Sequence, residues 1–312
     1  MIPKYVGNGA YCYANSVSML LDSIGEEVSP SLIEVLSGLG IGFFMDTKVP
    51  IIFFSNFATS PEKGINNALN LLGFGFKESY EDSLDNPPLE KLRKQIEKGP
   101  VVIGPIDIAY RKHWGNPQEE GGDHYVLVYK ITNEYVWVHD PQEFPSTPIP
   151  LTDFLKIWKA ENIIYKDKFY HCWFAPKIKK KYSSKERFTN SLKMFKENYE
   201  KSKDHPENIK IDEDALVSLA DLALNERITA DLNGHLIGFA FPVIVRRSLD
   251  YANFFHRNKK EKLAQLKEKQ AELFSECETL ALKSNWKRVS KILRDIALTE
   301  KEFKKQILVS FK

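Results

Sequence analysis

The sequence predicts an α+β domain over residues 1–176 and a helical domain over residues 177–312. In the first hundred residues, glycines and prolines separate stretches whose apolar residues have helical spacing. Residues 101–175 instead contain short runs of β-branched and aromatic residues separated by turn residues. Helices followed by an antiparallel sheet are typical of an α+β domain. After the sheet the apolar residues return to helical spacing, which indicates a second domain of packed helices.

Four helices are predicted ahead of the sheet, each marked by residues that favour a helix terminus. Two of them open with serine followed by proline, which places a capping side chain before a residue suited to the first turn. Glycine is typical of the position just after a helix and ends three of the stretches. The predicted helices begin at Cys12, Ser29, Ser60 and Pro88.

The strands of the predicted sheet are identified by their β-branched and aromatic residues. Thr132-Asn133-Glu134 separates two of them and indicates a tight turn, so these two strands form an antiparallel hairpin. The predicted strands cover residues 101–106, 124–131, 135–138 and 169–175.

A basic stretch connects the two predicted domains. Residues 177–203 contain ten lysines or arginines and three glutamates, which favours a solvated connector or helix face over a phosphate-contacting patch. The helices that follow show no catalytic cluster. Thr299–Glu302 has the pattern of a capping box and predicts the start of a last helix.

Composition limits the classes of function. The net charge is +2, so neither a nucleic-acid partner nor a membrane surface is indicated. No apolar run reaches the roughly 20 residues that span a bilayer. The chain opens without a basic and hydrophobic signal segment, and three cysteines do not make a disulfide framework. We therefore expect a cytoplasmic protein in a reducing compartment.

Cys12 is the residue whose setting most strongly indicates chemistry. It follows Gly7-Asn8-Gly9 and enters an apolar stretch, which predicts a loop that turns directly into a helix. A thiol at that point faces the unpaired backbone N–H groups and the positive end of the helix dipole. Both favour the thiolate, which is the nucleophilic form of cysteine.

His124 and Asp140 are the candidate partners of that thiol. His124 opens one strand of the predicted hairpin, and Asp140 ends the other, 16 residues later (140 − 124). In an antiparallel hairpin the start of one strand lies beside the end of the next, so the two side chains are expected to be neighbours. A cysteine, a histidine and an aspartate in this order are the parts of a nucleophile, its base and the group that orients the base.

Each of these residues also has a structural interpretation. A lone cysteine is more often a small buried residue, a histidine in an apolar strand is more often in the core, and Asp-Pro often opens a turn. Cys172 and Cys277 lie in apolar surroundings and are predicted to be core residues, and His139 should face away from Asp140. The segment 107–122 is either a substrate-binding lid or a connection. No metal or nucleotide motif is present, so no cofactor is predicted.

Four segments together resemble the family of butirosin biosynthesis protein H and, more distantly, the papain-like, bacteriocin-processing cysteine peptidases. The resemblance covers residues 1–175, and the helical remainder is similar to the C-terminal part that often follows in this family. The segments are Tyr11–Ser16, Gly99–Asp107, Asp123–Val126 and His139–Pro141.

The resemblance implies a papain-like fold with Cys12 as nucleophile, His124 as base and Asp140 as orienting group. Papain-like peptidases have an oxyanion-hole glutamine about six residues before the cysteine, where this chain has Val6. Asn8 is the candidate replacement, because its side-chain amide can donate to a developing oxyanion. The alternative is that Asn8 only shapes the turn.

The implied activity is acyl transfer in secondary-metabolite (antibiotic) biosynthesis. The acyl group would pass from a thioester donor, carried by an acyl carrier protein, through Cys12 to an amine. One alternative is a cysteine peptidase or amidase acting on a small-molecule or peptide-like substrate, since the same triad serves both reactions. Another is a non-catalytic binding protein on the same fold.

Overall fold

The computed structural model describes residues 2–7, 10–110, 121–163, 165–166 and 168–309. The chain divides into two compact units, and each is built from two separate segments. The first unit contains Met1–Ile33 and Leu72–Lys181, and the second contains Glu34–Leu71 and Tyr182–Lys312.

The described elements are labelled in chain order. The strands β1 to β9 are Phe44–Asp46, Ile51–Phe53, Phe74–Glu81, Val101–Asp107, Asp123–Ile131, Tyr135–Asp140, Phe144–Pro150, Phe169–Ile178 and Ile209–Ile211. The helices α1 to α11 are Cys12–Asp22, Pro30–Ser37, Pro61–Leu72, Leu89–Ile96, Leu151–Lys159, Ser184–Lys201, Asp212–Leu224, Ala230–His235, Phe241–Arg257, Glu261–Ala281 and Trp286–Val309.

The first unit is built on a six-stranded antiparallel sheet with the order β3-β8-β4-β5-β6-β7. The α+β class and the β5–β6 hairpin are therefore confirmed. β3, β7 and α5 were not predicted from the sequence. β3 has an irregular pairing with β8, and β7 contains three prolines, which weaken the strand pattern.

The buried central strand β4 stabilises the sheet through its apolar contacts. All seven of its residues are buried, as expected for a short, continuous apolar run in the middle of a sheet. One face packs against α5, whose Phe154 and Trp158 are almost fully buried. The Trp158 indole donates a hydrogen bond to the His171 carbonyl of β8, 3.3 Å away, so its one polar group is satisfied.

The second unit combines helices with a small sheet of order β2-β1-β9. Residues 34–71 were predicted to belong to the first domain, whereas in the structure they group with the C-terminal helices. The reason is apolar contact: β1 pairs with β9, and four residues of the segment join the core formed by these helices. Those four are Phe43, Met45, Ile52 and Phe54.

The predicted start of a last helix at Thr299 is wrong. α11 runs without interruption through this position, and the Thr299 hydroxyl donates to the Ile296 carbonyl in the preceding turn, 2.7 Å away. The capping pattern is overridden because Ile296, Glu300 and Phe303 are all buried along one continuous helix face.

No helix within the described ranges is both long enough and apolar enough to cross a membrane.

A cluster of buried polar groups lies inside the second unit, centred on the Glu300 carboxylate. Tyr199 donates to Glu300 at 2.6 Å and Gln270 donates to it at 2.8 Å. Lys267 donates to the side-chain oxygen Oε1 of Gln270 at 2.9 Å, and burial lowers the pKa of this lysine. Nearby, Lys304 pairs with Asp212 at 2.7 Å. Each charge in this cluster has a partner, as buried charges require.

Burial, reinforced by the negative charge of Glu300, raises the pKa of Asp212 from 3.8 to about 6. When a carboxyl has a higher pKa in the folded state than in the unfolded state, its ionisation destabilises the folded state. Its contribution to stability is therefore fully present below the unfolded-state pKa and is lost as pH rises through the folded-state value.

We predict that Asp212→Asn removes this pH dependence. Relative to the variant, the wild type should lose up to about 3 kcal/mol of unfolding free energy between about pH 4 and pH 7. Urea unfolding followed by circular dichroism across this range measures the difference. Asp214→Asn is the matched control, because Asp214 lies exposed on the same helix. Parallel curves for wild type and Asp212→Asn would contradict the prediction.

Candidate active site

Cys12 is the first residue of α1. The chain turns sharply into the helix because Tyr11 adopts a left-handed backbone conformation, with φ of 56°. Asn15, fully buried one turn into the helix, donates its side-chain amide to the carbonyls of Ala10 and Tyr11 and so fixes this turn. The half-buried Cys12 thus lies at the helix N-terminus, the position that favours a thiolate.

Helix α1 packs against β5, the strand that begins with Asp123 and His124. The Ser16 hydroxyl donates to the Tyr125 carbonyl at 3.2 Å, and the rings of Tyr13 and Tyr125 meet edge to face. Residues four apart share a helix face, so Cys12 lies on the same face of α1 as Ser16, the face that contacts β5.

The structure brings His124 and Asp140 together. His124 Nε2 lies 2.6 Å from Asp140 Oδ1, and the two residues are only 4% and 0% exposed. The backbone N–H of Gln142 donates to the same carboxylate oxygen at 2.9 Å. Because an ionised carboxylate only accepts hydrogen bonds, Nε2 carries the proton of this pair, and Nδ1 is the nitrogen suited to exchange a proton with a nucleophile.

His139, which the sequence analysis left out of the site, faces other partners. Its Nε2 lies 2.9 Å from the Pro3 carbonyl oxygen, and its Nδ1 accepts a hydrogen bond from the Ser146 backbone N–H at 2.9 Å. Tyr5, from the same N-terminal segment as Pro3, donates its hydroxyl to the Asp140 backbone carbonyl at 2.9 Å. Tyr5 was not predicted from the sequence because its partner lies 135 positions away. Asn15 was not predicted either, although its partners lie only four and five residues earlier.

Cys172 and Cys277 are buried, as predicted for core residues. Cys172 is 7% exposed on β8, and Cys277 is fully buried on α10. Burial raises the pKa of the Cys172 thiol to about 12 and also strongly raises that of Cys277. Neither thiol is in a state suited to nucleophilic attack near neutral pH.

The base of the segment between β4 and β5 is fixed by Asp107. Its buried carboxylate accepts from the backbone N–H groups of Ala109 and Gly121, at 3.0 and 3.2 Å. Residues 111–120, the middle of the proposed lid or connection, lie outside the described residues, and so does Asn8, the candidate oxyanion-hole donor. Both interpretations stay predictions.

Among the described residues, no three histidines, cysteines or acidic residues are grouped closely enough to hold a metal ion.

One domain family and one whole protein are similar to this chain. Residues 206–308 match the YobF C-terminal domain. Over 305 residues the chain is 36% identical to YobF of Bacillus subtilis (strain 168), itself uncharacterized, and the match spans 97% of this chain and 98% of that protein. The chain belongs to the YobF family.

A solved structure similar to this YobF-family chain is that of a Bacillus anthracis protein provisionally described as a C39-like peptidase. The two share 15% identity with a TM-score of 0.38, over 57% of this chain and 98% of the other. At that distance the likeness carries no inference about the reaction. The family assignment is to YobF and not to butirosin biosynthesis protein H, because short motifs around a candidate nucleophile describe a local arrangement rather than a whole chain.

We predict that iodoacetamide at near-neutral pH modifies this YobF-family chain at Cys12 alone, since the other two thiols are buried with raised pKa values. Peptide mass mapping locates the label. Cys12→Ser should abolish labelling, and Cys172→Ser should leave it unchanged. Label distributed evenly over all three cysteines would contradict the prediction.

Proposed function

We propose that the chain is a cysteine-dependent enzyme that cleaves an amide or thioester bond through an acyl-enzyme on Cys12. The observation that carries the proposal is the buried His124–Asp140 pair, 2.6 Å apart, on the strands beside the helix that begins with Cys12. Burying an imidazole and a carboxylate costs free energy unless they are paired. Such a pair keeps the imidazole in one tautomer and orientation, as a general base requires.

The first half of the proposed reaction forms the acyl-enzyme. The Cys12 thiol gives its proton to Nδ1 of His124, and the resulting thiolate attacks the substrate carbonyl carbon. The tetrahedral intermediate collapses as the bond to the leaving amine or thiol breaks. His124 returns the proton to that leaving group, and Asp140 stabilises the imidazolium while it exists.

The second half regenerates the enzyme. A water molecule or an amine attacks the thioester on Cys12, His124 takes its proton, and the thiol is re-formed as the carboxylic acid or amide leaves. With water the enzyme is a peptidase, amidase or thioesterase. With an amine it is the acyltransferase that the sequence analysis favoured, and an acyl carrier protein would be a suitable donor. The residues of the chain act identically in both cases.

Intact-mass spectrometry with an activated acyl thioester tests the proposal. We expect a mass increase equal to one acyl group on wild type, no increase on Cys12→Ser and an unchanged result with Cys277→Ser. Adding candidate amines then separates the two outcomes, because a transferase yields amide faster than acid. Failure of every activated acyl donor to label a Cys12 that iodoacetamide modifies would favour a non-catalytic binding protein.

We predict that the role of Asp140 appears in the pH dependence of Cys12 alkylation. Asp140→Asn removes the negative charge that stabilises the imidazolium, so the thiolate should form only at higher pH and alkylation at neutral pH should slow about tenfold or more. Asp140→Ala should slow it further, because the ring also loses its positioning contact. Rate profiles for wild type and both variants measure the shift, and three superimposable profiles would show that Asp140 only forms a turn.

A further inference from the structure

His139 and Tyr5 form a structure that the proposed reaction does not use directly. Residues 2–7, which we call the N-terminal strap, run along the end of β6 and are held there by two hydrogen bonds. One joins His139 Nε2 to the Pro3 carbonyl oxygen, and the other joins the Tyr5 hydroxyl to the Asp140 carbonyl oxygen. The rings of Tyr5 and His139 also meet edge to face, with centroids 5.4 Å apart.

The hydrogen bonds of His139 fix its tautomer. Nδ1 accepts from the Ser146 backbone N–H, so the proton is on Nε2, which donates to Pro3. The ring is 2% exposed and also lies 4.8 Å from the ring of Tyr129. Burial lowers the pKa of His139, in agreement with a neutral ring. Both nitrogens are thus engaged, one with β7 and the other with the strap.

The strap stays close to β6 up to its last described residue. A side-chain carbon at Gly7 would lie 2.0 Å from the Tyr5 hydroxyl oxygen and 2.7 Å from the Pro141 carbonyl oxygen. Only glycine therefore fits between them. From Gly7 to Cys12 the chain has five residue steps (12 − 7), a span of at most about 18 Å when fully extended. The strap therefore limits where the turn before Cys12 can lie.

We propose that His139 and Tyr5 are positioning residues that tie the thiol-bearing turn to Asp140. This inference rests on the proposed function, because its consequence is the alignment of Cys12 with its base. Asp140 takes part in both connections: its carboxylate holds His124, and its backbone carbonyl holds Tyr5. The two halves of the site, which are far apart in sequence, are thereby joined at one residue.

Two substitutions of His139 separate the contacts of its ring. In His139→Gln the side-chain amide nitrogen reaches the position of Nε2 and can still donate to Pro3. In His139→Asn the side-chain oxygen reaches the position of Nδ1 and can still accept from Ser146, but the contact with Pro3 is lost. If the hydrogen bond to Pro3 is what positions the strap, His139→Gln should keep the wild-type rates of cleavage and alkylation, and His139→Asn should not. Tyr5→Phe removes only the second tie, and Tyr135→Phe is its control, since Tyr135 is 40% exposed on the same strand β6.

Two measurements on the full chain test the proposal. Cleavage after Lys4 by a lysine-specific protease, followed by intact mass, reports release of the strap without involving catalysis. The rate of Cys12 alkylation reports alignment of the thiol. We expect His139→Asn and Tyr5→Phe to be cut faster after Lys4 and alkylated more slowly, by about tenfold for His139→Asn. His139→Gln and Tyr135→Phe should behave as wild type.

The outcomes are distinct from those of the proposed function. Equal cleavage after Lys4 in all variants would show that His139 and Tyr5 do not hold the strap, whatever the acyl-enzyme assay shows. Faster cleavage with unchanged alkylation would overturn the positioning role. A loss shared equally by His139→Gln and His139→Asn would mean that the hydrogen bond to Pro3 is not what positions the strap, and would also overturn the positioning role. Absence of an acyl-enzyme in wild type would reject the proposed function, while the cleavage and alkylation results would still decide the role of the strap.

Discussion

The register of the β5–β6 hairpin is the constraint on which the candidate site depends. Leu127 lies opposite His139 and Val128 lies opposite Val138, which brings Asp140 level with the residues just after His124. A slip of one residue would turn the side chains of one strand to the other face of the sheet. It would separate an imidazole and a carboxylate that are both buried, at a cost of about 1–3 kcal/mol for each unsatisfied group. The apolar residues of the two strands, buried in the same sheet, oppose such a slip.

The features that the sequence predicted are those encoded locally. The hairpin follows from two β-rich runs around Thr132–Glu134, and the helix at Cys12 follows from a glycine-containing turn before an apolar run. The neighbourhood of His124 and Asp140 was predictable for the same reason, since a hairpin of known length fixes which residues meet. Their roles in a reaction are still a proposal.

Several of the features that escaped prediction depend on contacts distant in sequence. Three residues of β1 pair with β9, more than 160 positions later (209 − 46 = 163), and a three-residue strand has no recognisable pattern of its own. At Thr299 the local pattern was present but misleading, because burial along α11 outweighs a cap that would end the preceding helix. Tyr5 and His139 are recognisable as partners only after the strap has been placed beside β6.

The composition of the second unit from two separate segments has a consequence for synthesis on the ribosome. Phe43, Ile52 and Phe54 belong to a core that also contains Phe274 and Ile296, which emerge more than 200 residues later. Synthesis proceeds at about 5–20 residues per second, so on the order of 10 s or more passes between the synthesis of these side chains and that of the residues that bury them. During that interval the apolar side chains of segment 43–54 lack the core that buries them in the folded second unit, so this segment is exposed to non-native contacts.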